Sequence, residues 1–580
     1  MSDNVINIPR DTTVKGLVEM QRMAVAGGSN PAASDICYKY LVQQCTSKEE
    51  VDGLFVEWWK CQYDSEKYTK AEMLERWFGR VLEDNKVHGV VFPLFGTSST
   101  SIGELTDDSA TLKCVPSTAK TLGRDDFAHL PQFWCLEVSA EKNADGSHEI
   151  FYVEHIDDIN DVRSGEHLCW VLQKNTYTRE WDEDGYRYLK MKCHQSTGYK
   201  LWREGKDRTG KIHAYIAHPK YYAGIGSDGK ITCGTGLAPV NWTSHTAGVT
   251  KWRERGTQYS GASGDMIKFL DRMMRLKYAR KGNSGTIEGC SNYNLQYTAA
   301  YSEEGVERVL LTPTQAANLF VGSSIQLGIQ SGSDRNTASN YSICRNKLIT
   351  KIEEIDIEGT VYSAVYVDNG GTTFDTTAGS TYLSTDPYWS GWNDEVLGTD
   401  GSRYNYTNGK EPGLLQKIEF MNGSYLIISD ELWQWSTDAN GDYNFDCFVC
   451  ADQSKVSGTA ITEDYVKQTD LTMVIPAGTE ASWKYIEDTA ISDVEWPLGI
   501  DAGGSGVGCK AGFYCLPAAS GVRAGWCWGN LNNGGNAGLA CRNSNNSVGN
   551  ANWNGSVGST GYVCISYIAP YSPRLCAKII

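Results

Sequence analysis

The chain has 580 residues, a formal net charge of −17 at pH 7, 60 glycines and 15 prolines. The length allows about three or four domains with cores of their own. The acidic balance argues against nucleic acid as the main ligand, because phosphate binding requires a basic surface. No stretch approaches the ~18 apolar residues of a membrane span and no signal peptide opens the chain, so we expect no membrane insertion.

The composition predicts an α+β, β-rich protein. Its 32 tyrosines, 18 tryptophans and 60 glycines are typical of β domains with many tight turns. We predict a small N-terminal helical domain at residues 1–88, an antiparallel β domain at 89–204 and a larger C-terminal domain at 205–580.

The N-terminal region shows helical patterns. Ser47 and Thr69 each stand three residues before a glutamate, which is the capping-box pattern of a helix start. Apolar residues recur at helical spacing, and residues 54–59 are dense in them. These side chains suit a bundle core or a docking surface, and the two are compatible. We expect this domain to attach the protein to its assembly, and a chain lacking residues 1–84 to fold without it.

The middle region changes to the period of β-strands. Apolar and polar residues alternate over residues 186–192, after the turn at Asp184–Gly185. This is typical of a half-solvated antiparallel sheet. We identify no catalytic pattern in this region.

The C-terminal region combines one strong helix with many strands. Ser263 is placed to cap a helix with an apolar stripe over residues 266–276. Asn440–Gly441 predicts a hairpin turn. Residues 370–412 are rich in glycine, threonine, serine and aspartate, and we interpret them as an insertion or long loop.

The 18 cysteines are scattered singly along the chain. We predict that they are free, buried and apolar in character rather than paired in disulfides. Cys447 and Cys450 form a lone CxxC without a second pair or a nearby histidine, which is a weak zinc signal. We expect no metal and no cofactor.

The last segment differs from the rest. Residues 521–558 read GVRAGWCWGNLNNGGNAGLACRNSNNSVGNANWNGSVG, with no helical or strand period. Such a composition cannot bury a core of its own, yet its tryptophans require burial or a partner. We interpret residues 521–546 as a loop displayed on a rigid scaffold, because stiff aromatics among adaptable amides are typical of an antibody paratope.

The order of residues in this segment resembles a known family. Arg523, Gly525–Trp526, Asn532–Gly534 and residues 542–546 follow one another as in the closing motif of C-type-lectin domains related to formylglycine-generating enzymes. The asparagine-rich version at the C-terminus is similar to the variable proteins of diversity-generating retroelements. Over residues 418–435 the chain departs from the family, since the Gly-Asn order is reversed and the tryptophans come late.

The resemblance implies a C-type-lectin-like fold for residues 205–580 and a receptor-binding protein on a bacteriophage virion, at its tail. Such a protein is made in the host cytoplasm and binds a bacterial surface receptor, either protein or glycan. Repeated display adds avidity, so we expect a homotrimer whose N-terminus contacts other virion proteins. The candidate receptor contacts are Arg523, Ala524, Trp526, Cys527, Trp528, Asn530, Ala540, Cys541, Arg542 and Ser544.

Alternatives remain open at this stage. A bracing role suits Arg523 and Arg542 equally well, and the asparagines of residues 543–546 and 550–552 suit support of loop backbone. A structural or decorating virion protein is the second interpretation of the whole chain. A cellular surface adhesin is the third, and the missing export signal disfavours it.

Two further expectations follow from the resemblance. In this family, adenine-directed mutation concentrates at asparagine codons, which makes positions 524, 527, 540, 541 and 544 the predicted variable sites. The related oxidases hold copper with a closely spaced cysteine pair. Five residues after Cys527 stands Asn532, which cannot supply a thiolate. No histidine lies in residues 501–580, so we predict that the protein is not an enzyme.

Overall fold

The structure, a computed structural model, describes residues 31–94, 102–116, 123–144, 147–207, 210–332, 335, 337–394 and 409–560. The described α-helices are α1 (Pro31–Val42), α2 (Lys48–Gln62), α3 (Lys70–Arg76), α4 (Ile159–Arg163), α5 (His245–Arg253), α6 (Gly264–Tyr278) and α7 (Pro313–Ala316). A π-helical turn, Trp77–Val81, continues α3. Among these residues no helix has the length and apolar character needed to cross a membrane.

The strands are numbered in chain order. The first are β1 (Val87–Pro93), β2 (Glu104–Asp107), β3 (Cys114–Val115), β4 (Arg124–Asp125), β5 (Cys135–Lys142), β6 (His148–Val153), β7 (Leu168–Lys174), β8 (Tyr177–Glu183), β9 (Tyr186–Lys192), β10 (Lys200–Leu201) and β11 (Tyr215–Pro219). The middle ones are β12 (Gly224–Ile225), β13 (Ile231–Thr232), β14 (Gln296–Thr298), β15 (Glu303–Val306), β16 (Arg308–Leu311), β17 (Ser324–Gly328), β18 (Cys344–Ile357), β19 (Thr360–Val367), β20 (Phe374–Thr376) and β21 (Tyr382–Thr385). The last are β22 (Gly413–Leu415), β23 (Ile418–Phe420), β24 (Tyr425–Thr437), β25 (Tyr443–Val449), β26 (Val466–Lys467), β27 (Met473–Ile475), β28 (Ser482–Tyr485), β29 (Asp488–Thr489), β30 (Pro497–Leu498), β31 (Gly512–Cys515), β32 (Gly521–Cys527), β33 (Arg542–Asn543) and β34 (Gly555–Val557).

These strands form four larger sheets. A five-stranded sheet has the order β10-β8-β9-β1-β2, and a four-stranded sheet has the order β11-β7-β5-β6. A six-stranded sheet has the order β14-β21-β17-β18-β19-β16. The nine-stranded sheet is built on β26-β25-β24-β32-β33-β31-β28, with β27 paired to β25 and β34 to β24. Most of the pairs are antiparallel, so the protein is α+β and β-rich, as predicted.

Both predicted capping boxes are present. The Ser47 side chain accepts from the backbone N–H of Glu50, whose carboxylate accepts from the backbone N–H of Ser47. Thr69 and Glu72 make the same reciprocal pair at the start of α3. Each box satisfies two backbone donors that the first helical turn leaves free, which fixes where α2 and α3 begin.

The helices do not form a separate domain. Trp134, just before β5, is fully buried against them, with its ring centroid 5.7 Å from that of Phe55 and 5.9 Å from that of Trp77. Its indole N–H donates to Asp52 at 2.8 Å. One hydrophobic cluster joins α1, α2 and α3 to β5, β7 and β11. The boundary predicted at residue 88 cuts through this core, so the helices and the β region pack together, and we now expect the remaining chain not to fold without the helices.

The boundary predicted at residue 204 is crossed as well. β11 lies beyond it, yet it pairs with β7 and completes the four-stranded sheet. The chain also returns to this region near residue 560. The backbone N–H of Val557 donates to the carbonyl of Val240 at 2.9 Å, and the indole of Trp170 donates to the carbonyl of Thr560 at 3.2 Å. The three predicted domains therefore share cores.

Helix α6 is the predicted helix of the C-terminal region. Its N-cap is Ser263, as predicted, and every residue of the helix is buried. The apolar side, including Phe269, belongs to the main hydrophobic cluster. The charged side is enclosed too, because Arg275 lies 2.8 Å from Asp271 and 3.3 Å from Asp488. Buried charges require partners of this kind, so the helix is fixed on both faces.

The stretch predicted as a loop insertion at 370–412 is partly regular. β20 and β21 lie in it, and β21 pairs with both β14 and β17. The unit between α6 and β22 is therefore a sheet that spans residues 296–385, larger than the predicted loop. Residues 395–408 of the predicted insertion lie outside the described residues, as do residues 1–30 of the predicted helical domain.

Two smaller predictions are confirmed. β24 and β25 form a hairpin around Asn440–Gly441, where Gly441 has a φ of +88°. The 16 described cysteines are free thiols, and 13 of them are buried. The 13 buried cysteines act as small apolar residues of the core, as predicted. Cys564 and Cys576 lie outside the described residues.

Candidate ligand-binding surface

The segment predicted as a display loop begins as a central strand. β32 pairs with β24 along residues 521–527, and its last two residues also pair with β33. A strand with neighbours on both edges and packing on both faces shows no alternation of apolar and polar residues. For this reason the prediction that no strand runs through residues 521–546 is wrong.

Nine of the ten predicted receptor contacts are buried. They are at most 4% exposed: Ala524, Trp526, Cys527, Trp528, Asn530, Ala540, Cys541, Arg542 and Ser544. The tenth, Arg523, is half-buried. A side chain without exposed surface cannot contact a receptor, so the predicted display of these nine residues is wrong for this conformation.

Trp526 in β32 and Trp528, just after the strand, anchor the segment in the core. The ring of Trp526 lies 5.7 Å from that of Tyr425, and a Cβ on Gly555 would come within 2.3 Å of it. The ring of Trp528 lies 5.9 Å from that of Tyr222. The burial that the sequence predicts for these rings is provided by other residues of the same chain.

The five positions predicted to vary are also core positions. Ala524, Cys527, Ala540, Cys541 and Ser544 are each 2% exposed or less. Burial raises the pKa of the Cys527 thiol to about 12 and raises that of Cys541 as well. New side chains at these positions would change the packing of the core instead of a contact surface, which corrects the prediction.

The two arginines of the segment brace backbone. Arg542 donates to the carbonyl oxygens of Cys541 at 3.0 Å and Glu495 at 2.5 Å. Arg523 donates through Nε to the carbonyl of Ser544 at 3.0 Å. These contacts favour the bracing alternative for both arginines.

The asparagines of the segment also support backbone. Asn530 Oδ1 accepts from the N–H of Asn532 at 2.8 Å, and Asn533 Oδ1 accepts from the N–H of Asn530 at 2.7 Å. Asn543 Oδ1 accepts from the N–H of Asn545 at 2.8 Å. Side-chain carbonyls thus satisfy loop donors that no ladder reaches, which for Asn543 is the supporting role proposed for residues 543–546 and for Asn530 replaces the predicted receptor contact. These bonds tie the irregular part of the segment to its own backbone.

One surface beside this segment faces solvent. Trp483 on β28 pairs directly with Tyr514 on β31, which pairs with Asn543 on β33. Directly paired residues point to the same face of a sheet, so the three side chains form a row. The ring centroids of Trp483 and Tyr514 are 5.2 Å apart in a T-shaped contact, and both rings are half-buried.

Amides surround this ring pair. A Cβ on Gly512 would lie 2.6 Å from the Trp483 indole and 3.3 Å from the Cβ of Asn536, so both side chains lie against that glycine. The amides of Asn533 and Asn543 lie at the hydroxyl of Tyr425, whose pKa is raised far above its ordinary value by burial. We define the aromatic–amide surface as Trp483, Tyr514, Asn533, Asn536 and Asn545, which are exposed or half-buried; Asn543 is buried beneath them.

The aromatic–amide surface contains no carboxylate, lysine or arginine. β28 carries the half-buried Lys484 next to Trp483, on the opposite face of the strand. Arg542 of β33 points into the core, where it faces Glu431 and Glu495. Burial raises the pKa of both carboxyls, and Arg542 opposes that rise. Rings with amides beside them bind apolar faces and hydrogen-bonding groups without requiring a charged ligand.

Comparisons with known proteins do not identify the chain: no family model matches it, and no curated protein matches it significantly. Within the described ranges, no group of three or more histidine, cysteine, aspartate or glutamate side chains is arranged to hold a metal ion. The function is therefore argued from the geometry of the surface.

Sequence reasoning missed the two rings of this surface. Trp483 stands in SWKY at residues 482–485, where polar and apolar residues alternate as in a strand, and Tyr514 stands in GFYC at residues 512–515, which has no such alternation. Neither stretch lies in the asparagine-rich segment, residues 521–558, whose composition predicts the binding site. Their pairing across the sheet is a long-range contact that the sequence does not display.

Proposed function

We propose that this chain is a receptor-binding protein on the virion surface of a bacteriophage, at the tail. It binds a bacterial surface ligand through the aromatic–amide surface. The observation that carries the proposal is a rigid sheet edge that turns a ring pair and several amides toward solvent. The order of residues after Arg523, which resembles the lectin-fold variable proteins, supports the same role and a C-type-lectin-like fold for residues 205–580.

The chemistry of the surface suits recognition. Rings such as Trp483 and Tyr514 supply large contact area at a low cost in conformational entropy. The amides of Asn536 and Asn545 supply donors and acceptors, so they adapt to ligands of different hydrogen-bonding pattern. The side chain of Asn533 already accepts a hydrogen bond from loop backbone, so it requires little ordering when a ligand binds.

One such surface binds weakly, so display in several copies is part of the proposal. A homotrimer repeated around a virion adds about 10²–10⁴ in avidity without any new contact. The N-terminal helices are the part that we propose to contact other virion proteins. α1 exposes Ile36 and Tyr40, one turn apart and each 43% exposed, which is an apolar pair suited to docking.

The proposal is a binding protein and not an oxidase. Cys527 and Cys541 are buried, and their thiol pKa values are raised, so both are protonated at neutral pH. A thiolate that binds copper requires the opposite environment. The free thiols also suit a protein made in a host cytoplasm, where disulfides are rare.

Diversification by a retroelement, which the resemblance implies, fits exposed positions better than buried ones. We propose that it acts on Asn532, Asn536 and Asn545, whose side chains are exposed or half-buried. Sister isolates should differ there and keep Ala524 and Cys527. Isolates that differ at those two core positions instead would contradict this assignment.

A structural or decorating virion protein is the second candidate. The burial of Trp526, Trp528 and Asn530 favours it, because a lectin-like frame with its tryptophans in the core suits packing as well as binding. The two candidates differ in whether the isolated protein binds cells.

Binding of the labelled protein to a panel of bacteria, measured by flow cytometry, tests the proposal. The double variant Trp483→Ala/Tyr514→Ala should lose at least about tenfold in affinity on every strain that the wild type binds, since central aromatic contacts dominate interfaces. Tyr382→Ala, a half-buried tyrosine of the six-stranded sheet, is the matched control and should bind as the wild type does. Equal binding by the double variant contradicts the proposal, and incorporation into virions without any cell binding favours the structural role.

A further inference from the structure

An open strand edge borders a groove beside the nine-stranded sheet. β27 pairs with β25 through residues 443–445, and no other strand of the described chain pairs with it. Two adjoining cavities of about 250 and 280 Å³ lie along β27 and share lining residues such as Leu471 and Ala490. We define the edge groove by its two walls, residues 468–475 on one side and residues 490–492 with 496–501 on the other.

Both walls of the edge groove are backbone edges and not sheet faces. Successive side chains of a strand point to opposite faces, so a wall made by one face is lined by every second residue. All three residues of β27 line the groove instead, and so do the consecutive residues 496–501. The second wall is paired on its far side, where β30 pairs with β29 and the N–H of Ala490 donates to the carbonyl of Trp496 at 2.8 Å. The groove is therefore a gap between two strands.

β27 is the wall that can extend a ladder of backbone hydrogen bonds. The other wall contains Pro497, which has no backbone N–H to donate. β27, Met473–Ile475, contains no proline and no charged residue. Lysines commonly protect sheet edges from pairing with other chains, and the edge strands β26 and β28 of this sheet carry Lys467 and Lys484. β27 lacks this protection.

Aliphatic side chains are exposed along the edge groove. Val474 is 58% exposed and Leu498 is 36% exposed. Met473, Ile491 and Ile500 line the groove beside them and are half-buried. Exposed aliphatic side chains gathered along an open strand edge are typical of sites where an extended peptide adds a strand to a sheet.

The charge of the edge groove is negative. Asp470 and Asp501 line it and are exposed, and neither forms an ion pair with another described residue. Arg187 is the single cation among the described lining residues, and Asp182 neutralises it at 2.8 Å. A basic residue in an occupant would complement the two unpaired aspartates.

We propose that the edge groove is a docking site for an extended segment of a partner polypeptide. The segment pairs with β27 through backbone hydrogen bonds and packs aliphatic side chains against Leu498 and Ile500. It also carries a lysine or arginine toward Asp470 or Asp501. A strand rises about 3.3 Å per residue, so the wall at residues 496–501 accommodates about six residues of the partner. No lining residue belongs to the aromatic–amide surface, so this contact is independent of the proposed receptor contact.

Hydrogen–deuterium exchange of the full chain with a synthetic peptide tests the proposal. The probe is a heptapeptide in which valine and threonine alternate between two terminal lysines. It should bind saturably and slow amide exchange in residues 470–475, because the outward N–H groups of β27 gain acceptors. Two control peptides, one with proline at the central position and one with glutamates in place of the lysines, should each bind at least about tenfold more weakly.

A substitution on β27 tests the same contact from the side of the protein. Val474→Lys places a cation on the open edge and should weaken binding of the probe at least about tenfold. Val474 is exposed, so the variant should fold as the wild type does, which circular dichroism checks. Val361→Lys is the matched control, at a 46% exposed valine of β19 in the six-stranded sheet, and should bind the probe as the wild type does.

Three results overturn the proposal: no saturable binding of the probe, equal binding of the proline peptide, or slowed exchange confined to residues outside the two walls. Sedimentation of the chain alone tests the other occupant. If the wild type self-associates and Val474→Lys does not, a second copy fills the edge groove, which overturns the assignment to a different partner.

Discussion

Substitution of Trp526 tests whether this side chain belongs to the hydrophobic core or contacts a ligand. The side chain is 1% exposed. A tryptophan buries roughly 150–250 Å², and at about 25 cal/mol per Å² this corresponds to about 4–6 kcal/mol of transfer free energy. Truncation of core tryptophans costs about 3–5 kcal/mol in practice. We therefore expect Trp526→Ala to lower the free energy of unfolding by about 4 kcal/mol.

Chemical denaturation followed by circular dichroism measures this change. Trp483→Ala is the matched control, because its ring is half-buried at the sheet edge and its truncation should cost only about 1 kcal/mol. A displayed tryptophan would behave in the opposite way. If Trp526→Ala leaves the unfolding midpoint unchanged and abolishes ligand binding, the ring is a contact and the assignment of Trp526 to the core is refuted.

Three further predictions follow from the packing and the charges. A chain that begins at residue 85 should expose Trp134 and its neighbours and aggregate, whereas a monodisperse folded fragment in light scattering would show that the helices are dispensable. Gly512→Ala should push the Trp483 indole off the sheet at a cost of about 1–3 kcal/mol by overpacking; an unchanged tryptophan emission spectrum would contradict the contact. Burial raises the pKa of Glu419 to about 8, above the roughly 4.3 of an unfolded glutamate, so its stabilising contribution is present at low pH and is lost as the pH rises through about 8. Between pH 6 and 8 the free energy of unfolding should fall by up to about 1.4 kcal/mol per pH unit more in the wild type than in Glu419→Gln, and equal slopes in pH-dependent denaturation would refute this.

The parts of the fold that the sequence predicted are local ones. The capping boxes at Ser47 and Thr69, the hairpin at Asn440–Gly441 and the cap of α6 at Ser263 each depend on residues within a few positions of one another. Local hydrogen bonds and turn conformations decide such features, and the residue types show them directly.

The division into domains depends on distant contacts. The apolar residues 54–59 predict a core or a docking surface, but the residue that packs on them, Trp134, stands far along the chain. The return of residues 557–560 to Val240 and Trp170 is equally invisible in the sequence. A sequence pattern identifies an apolar face of a helix or strand, but it does not identify the element that packs against that face.

None of the ten predicted contact residues belongs to the aromatic–amide surface, although their segment lies beside it. The segment around residues 521–546 does border the aromatic–amide surface, but composition cannot separate a tryptophan that packs inward from one that faces a ligand. Trp526 and Trp528 are enclosed because β32 is central, whereas Trp483 is open because β28 is an edge strand. Sheet order, which only the fold supplies, decides the difference.

Hydroxyl-radical footprinting of the protein with and without envelopes of a bacterium that it binds tests the central claim most directly. The account predicts that Trp483 and Tyr514 are oxidised in the free protein and protected in the bound one, while Trp526 and Trp528 are oxidised in neither. Protection confined to other residues, with Trp483 and Tyr514 oxidised equally in both samples, would contradict the claim that the aromatic–amide surface binds the receptor.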